Sequence, residues 1–241
     1  MFNHKIQDRV SYQVYFNWFL LSFLAGNINS GGYLACHRFV SHITGFATLA
    51  GIDFEQKNWV DALGTLIIPI FFLGGVILSG YLTEKRYAHK VQGQKFAPVF
   101  GLIAVLLGFV AIGGYLDWFG RFGDPALIRH DFILLACLCG ACGLQNAAIT
   151  TASGYTIRTT HLTGLTTDLG LGIVKMVFKD HNKKNYTEEK LANLLRVGTI
   201  LSFSFGSFVG AMIFVQNQYL GFVFPMLVAI YFAFLAQHPE G

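Results

Sequence analysis

Charge is what this chain has least of. Asp, Glu, Lys and Arg make up 12% of its 241 residues, about half the share of a soluble domain. So little polar side chain cannot cover a water-facing surface, and hydrocarbon becomes the expected solvent. Proline is scarce as well, with five residues, and no Ser/Gly-rich tract occurs. No linker is therefore expected, and residues 1–241 read as a single membrane domain. The four cysteines, Cys36, Cys137, Cys139 and Cys142, all fall within apolar segments, which argues against disulfides and defines no redox compartment. Cys139-x-x-Cys142 has no second pair to complete a zinc site and reads as two small buried side chains. A Walker A loop, a GxSxG elbow and an HExxH helix are all missing, so no catalytic residues, enzymatic activity or cofactor are expected. The net charge of +4 is spread over short loops rather than one face, which excludes nucleic acid as an expected partner.

What the chain has is apolar length: 54% of residues are hydrophobic and the mean hydropathy is +0.51. A membrane span needs about 20 apolar residues. Candidates lie between Arg9 and Arg38, from Ala62 to Thr83, from Phe96 to Leu116, and between Asp131 and Arg158. The uncharged stretch Val197–Pro239 is long enough for two more, with Gln216-Asn217-Gln218 as the hairpin between them. The first apolar stretch begins near Ser11 and runs too far for a signal-peptide core, so it is read as the first span. Gly75-x-x-x-Ser79 and Gly206-x-x-x-Gly210 mark close helix packing within lipid.

One motif occurs twice. Ser41-His42-Ile43-Thr44-Gly45 returns as Thr160-His161-Leu162-Thr163-Gly164. Gly26-Asn27-Ile28-Asn29 precedes the first copy as Gly143-Leu144-Gln145-Asn146 precedes the second, and Gly51 corresponds to Gly170. The pattern predicts a duplicated unit, about 11–116 and about 131–237. The motif segments, roughly 41–53 and 160–178, are treated as short broken or re-entrant helices. With the N-terminus inside and neither segment crossing, only Arg38, Lys57, Arg121 and Arg129 of the 17 Lys and Arg lie outside, as the positive-inside rule requires. The expected fold is an all-α integral membrane protein of six main transmembrane helices, in two inverted three-helix repeats, with both termini cytoplasmic.

The candidate site follows from the motif. Ser41 and Thr160 read as N-caps, with Thr44 and Thr163 in the turn that follows. Gly26, Gly31 and Gly32, and Gly143 with Gly154, would let the preceding span break. Each capped segment would then be a half-helix whose free amides face a polar or anionic solute; the plainer reading is a capped turn at the membrane surface. His42 and His161 either bind substrate and shuttle protons or stitch the break to a neighbouring span. Neither has a carboxylate or thiolate at ligand spacing, so no metal is expected. Asn29 and Asn146 either contact the solute or bond across to a motif segment. Asp168 is read as a coupling or gating residue, or as the partner of Lys175 at the cytoplasmic interface.

The paired motifs, with Asp168 in Thr160-His161-Leu162-Thr163-Gly164-Leu165-Thr166-Thr167-Asp168-Leu169-Gly170, resemble the YoaK-like family of bacterial inner-membrane proteins over nearly the whole chain. That family usually carries Asp where Asn29 stands and Asn where Phe46 stands, while Asp168 falls on its acidic position. The resemblance implies a multi-pass protein of the bacterial inner (cytoplasmic) membrane. The functional expectation is a secondary transporter or channel for a small polar or anionic solute, with its site at the repeat interface. The alternative is a non-transporting membrane scaffold or partner protein whose motifs only close the helix core. The expected partners are the lipid bilayer, the solute and, left open, a homo-oligomer.

Overall fold

A computed structural model describes residues 12–90, 93–124, 128–153, 159–178 and 183–238. Among the described residues there are eight α-helices and no strand: α1 (Tyr12–Cys36), α2 (Ile43–Glu55), α3 (Trp59–Gly80), α4 (Ala97–Tyr115), α5 (Ile128–Ala152), α6 (Leu162–Phe178), α7 (Lys183–Asn217) and α8 (Val223–Gln237). A π-helical turn, Tyr81–Arg86, continues α3, and 3-10 turns at Gln94–Phe96 and Gln218–Phe222 lead into α4 and α8. Among the described residues, four stretches are long and apolar enough to cross a membrane: Trp59–Arg86, Gln94–Tyr115, Asp131–Ala152 and Tyr186–Gln237. The last of these holds both α7 and α8. The 25 residues of α1 carry no Asp, Glu, Lys or Arg, but Asn17, Ser22, Asn27, Asn29 and Ser30 dilute its apolar character.

Much of the outside of the bundle is apolar. Val60, Leu63, Ile70 and Ile77 of α3 and Leu201, Phe205, Phe208 and Met212 of α7 are all exposed. Such continuous apolar stripes exceed what a water-facing surface carries. Inside, Trp18, Leu21, Leu24 and Ile28 of α1 meet Phe100, Ile103 and Leu107 of α4 and Phe214, Phe222 and Phe232 from the C-terminal third, all fully buried.

Two expectations about the helices need correction. First, α1 does not break at Gly26, Gly31 or Gly32, and α5 runs unbroken through Gly143; Gly154 lies outside the described residues. These glycines serve packing instead. A Cβ on Gly31 would strike the Phe214 ring and one on Gly32 would strike Val40. The chain leaves α1 at His37, whose φ of 54° is left-handed and whose Nε2 lies 2.8 Å from the Gly123 carbonyl oxygen. Second, the helix expected within the uncharged stretch from Val197 begins well before it, at Lys183. No Gly or Pro stands between Lys183 and Arg196, and Lys, Leu, Glu and Arg all favour a helix.

The packing follows one scheme in both halves. Helices α1 and α7 run side by side in the same direction: Gly198 meets Phe19, Gly26 meets Phe203, Gly210 meets Asn27 and Gly31 meets Phe214. A Cβ on Gly26 would overlap the Phe203 carbonyl oxygen, and one on Gly206 would overlap that of Phe23. Helices α3 and α5 repeat the crossing, with Gly143 against the Phe72 carbonyl oxygen and Gly75 against that of Gly140. Positions 23 and 26 correspond to 140 and 143, and positions 72 and 75 to 203 and 206, at constant spacing. Hydroxyls reinforce the first crossing: Ser30 Oγ donates to the Ser207 carbonyl at 3.0 Å and Ser207 Oγ to that of Gly26 at 3.2 Å.

Helices α1 and α5, in contrast, run antiparallel. Gln145 Nε2 of α5 donates to the Leu21 carbonyl of α1 at 2.6 Å, while the far end of α1 and the start of α5 share the loop around Gly120–Gly123. There the Gly123 amide donates to the Ala35 carbonyl at 3.0 Å and Gly120 lies against Asp131. Helices α4 and α8 do the same: Gln94 Nε2 donates to the Gln237 carbonyl at 3.4 Å, Phe100 and Phe232 have ring centroids 5.4 Å apart, and Gly114 meets Tyr219.

Candidate functional site

Each motif opens a short helix that folds back along the next long one. Helix α2 spans 13 residues, about 20 Å at 1.5 Å per residue, and forms a hairpin with α3 through Gln56–Asn58. Phe54 packs edge-on to Trp59 at 5.7 Å, and Thr65 Oγ1 donates to Asp53 Oδ2 at 3.3 Å. Helix α6 spans 17 residues, about 26 Å, and pairs with α7. There Asn193 Nδ2 reaches Met176 Sδ at 3.2 Å, and Gly172 makes room for Glu189, Asn193 and Arg196. Both lengths fall short of the roughly 30 Å hydrocarbon core.

In the first motif Asn29 and Ser41 come together. The Ser41 hydroxyl donates to Asn29 Oδ1 at 2.9 Å and the Ser41 amide to the same oxygen at 3.3 Å. Both residues are buried. Asn29 stands seven residues before the end of α1 at Cys36, about 10 Å back along the helix, so the motif begins within the length of α1 rather than beyond it. This bond corrects the capping expectation: α2 starts at Ile43, His42 occupies the N-cap position, and no side chain accepts from the free amides. A hydroxyl already given to a buried carboxamide is not aimed at its own helix. The exposed His42 ring leans on Phe39 at 5.0 Å, which stacks on Tyr33 at 4.5 Å. Thr44 is exposed, and its carbonyl accepts from Thr48 Oγ1 at 3.1 Å.

The second motif has the same residues without the same bond. Thr160 is buried, His161 and Thr163 are exposed, and the Thr163 carbonyl accepts from Thr167 Oγ1 at 3.0 Å, repeating the Thr44–Thr48 contact. The His161 ring lies over Gly164, where a Cβ would overlap it. Asn146, the counterpart of Asn29, has a buried Oδ1 with no hydrogen-bond partner, and the fully buried Thr159 hydroxyl also lacks one. Asp168 is exposed on α6. It does not take Lys175, which pairs with Glu189 at 3.7 Å; Glu189 in turn accepts from Arg196 at 2.9 Å, and Arg196 donates to Asn193 at 2.6 Å. Among the described residues no hydrogen bond or ring contact joins the first motif to the second.

Further buried polar atoms escape a reading of the motif alone. Gln145 is fully buried, with Nε2 bonded and Oε1 unpartnered. Asn27, at the α1–α7 crossing, has neither amide atom satisfied, and the hydroxyls of Ser79 and Thr199 are likewise without partners. Their signal in the sequence is a polar residue inside an uncharged run, which by itself does not separate a helix-to-helix contact from a ligand.

Apolar helices of membrane-spanning length, packed by one scheme used twice, define an all-helical, membrane-like protein. The chain belongs to the family described as Protein of unknown function (DUF1275), whose model matches residues 18–236. No curated protein and no solved structure matches it.

Proposed function

We propose that the chain is a secondary transporter or channel for a small polar or anionic solute, embedded in the bacterial inner membrane with both termini cytoplasmic. Helices α1, α3 and α4 form one set of three spans and α5, α7 and α8 the other, six in all, while α2 and α6 are re-entrant. The observation that carries the reading is direction: α1 against α5 and α4 against α8 are antiparallel pairs of corresponding helices. An inverted pair of repeats produces such pairs, and the inverted design recurs in transporters with a site at the repeat interface. Unpartnered amide and hydroxyl groups on α1, α5 and α7 add support, because buried polar atoms without partners cost about 1–3 kcal/mol each and are tolerated where a solute or water satisfies them. Ser41, His42, Thr44, Thr160, His161, Thr163, Asn29 and Asn146 are the proposed solute contacts. Exposed Asp168 is the proposed coupling or gating group.

The rival is a membrane scaffold, favoured by the Asn29–Ser41 bond, which closes the core of the first half. Metabolite profiling of a deletion strain selects candidate solutes, and uptake into proteoliposomes separates the readings. A transporter accumulates at least one of them above protein-free liposomes, and His42→Ala or His161→Ala lowers that uptake about tenfold with membrane insertion unchanged. A scaffold accumulates none.

A further inference from the structure

We propose that Asn29–Ser41 and Asn146–Thr160 are two latches of one rocking device, and that the structure holds the first closed and the second open. This rests on the inverted-repeat reading of the transporter and deepens it. The two latches have the same chemistry, a carboxamide on the first long helix of each half and a hydroxyl at the start of the motif. Only one is engaged. Asn29 Oδ1 takes both the hydroxyl and the amide of Ser41, whereas Asn146 Oδ1 is buried without a partner. The acceptor left idle in the second motif is a cost that closing the second latch would remove. That cost persists because the two halves share one core and do not close together.

Two matched positions near the latches differ as well. Gln145 stands where the first half has Ile28, and Thr199 where it has Ile68. Ile28 and Ile68 are fully buried and apolar. Gln145 Oε1 and the Thr199 hydroxyl are buried and unpartnered, so at these two positions the second half carries polar groups that a solute or water satisfies while its latch is open. The Gln145 bond to the Leu21 carbonyl ties α5 to α1, so a shift of one motif is felt by the other half. A bistable element biased by one hydrogen bond on each side fits the rocking of one repeat against the other in alternating access.

Hydrogen–deuterium exchange on the full chain in lipid nanodiscs, with no solute added, tests the device. The amides of residues 41–46 exchange more slowly than those of residues 160–165. Ser41→Ala speeds the first segment about fivefold, the equivalent of one buried hydrogen bond, and slows the second, while Ser41→Thr, which keeps the hydroxyl, changes neither. Equal exchange of the two segments in the unaltered chain would overturn the proposal, as would a Ser41→Ala effect confined to the first. If Ser41→Ala does not insert, Asn146→Leu serves instead: it disables the second latch and slows exchange at 41–46, and unchanged exchange there refutes the device. Reciprocal exchange in a chain that moves no solute would keep the latches and discard the transport reading.

Discussion

Asn29 satisfies two donors with one oxygen, and both donors are buried with it. Asn29→Leu therefore strands the Ser41 amide and hydroxyl together. Thermal unfolding in detergent should show a loss of about 1–3 kcal/mol. The Glu189–Arg196–Asn193 group makes a similar prediction in the second half: Arg196→Met leaves a carboxylate and a carboxamide facing each other beside Gly172, and α6 should loosen from α7, read as faster amide exchange over residues 172–178. At this scale the residue types of the site were legible and their partners were not. Spacing alone showed that Asn29 and Asn146 match, as do Ser41 and Thr160. A serine before a helix has two competing acts, capping its own amides or bonding to a neighbouring helix, of similar energy. Which one occurs depends on where α1 lies, which is tertiary information. Lys175 illustrates the same limit. Asp168 shares its helix seven residues away, yet Glu189 on α7 takes the ammonium because the α6–α7 hairpin brings it closer.

Glycines separate the elements into two kinds. Gly26, Gly75, Gly143 and Gly206 stand where helix backbones touch, and each would drive a Cβ into a carbonyl oxygen. Gly51 and Gly170, at matching places in α2 and α6, have nothing within 4 Å. Gly26→Val and Gly143→Val should each cost about 1–3 kcal/mol or more through overpacking, whereas Gly51→Ala and Gly170→Ala should be neutral or stabilise by up to about 1 kcal/mol. The same melting curves check both. Long uncharged runs located α3, α4, α5, α7 and α8 because hydrocarbon length is written directly in composition. Breaks were harder. A glycine inside a membrane helix signals close packing as often as a bend, and only the neighbouring helix decides between them. The helical start of α7 was hidden for another reason: charge argues for water, and a solvated helix between Lys183 and Arg196 meets that demand as well as a loop.

The whole molecule joins these scales through direction. Crossings α1–α7 and α3–α5 are built alike, and the pairs α1–α5 and α4–α8 oppose each other, so a two-fold relation in the membrane plane is the arrangement that the account requires. Parallel repeats would leave corresponding loops on one face. The expected duplication came from the returning motif, and its expected orientation rested on an odd number of spans and on the placement of basic residues, both indirect. The most direct test is to place single cysteines at Lys90, after α3, and at Gln216, at the corresponding end of α7, and to treat intact cells and inside-out vesicles with a membrane-impermeant thiol reagent. The account predicts labelling of Gln216→Cys on intact cells and of Lys90→Cys only in inside-out vesicles. Labelling of both positions from the same face would contradict it.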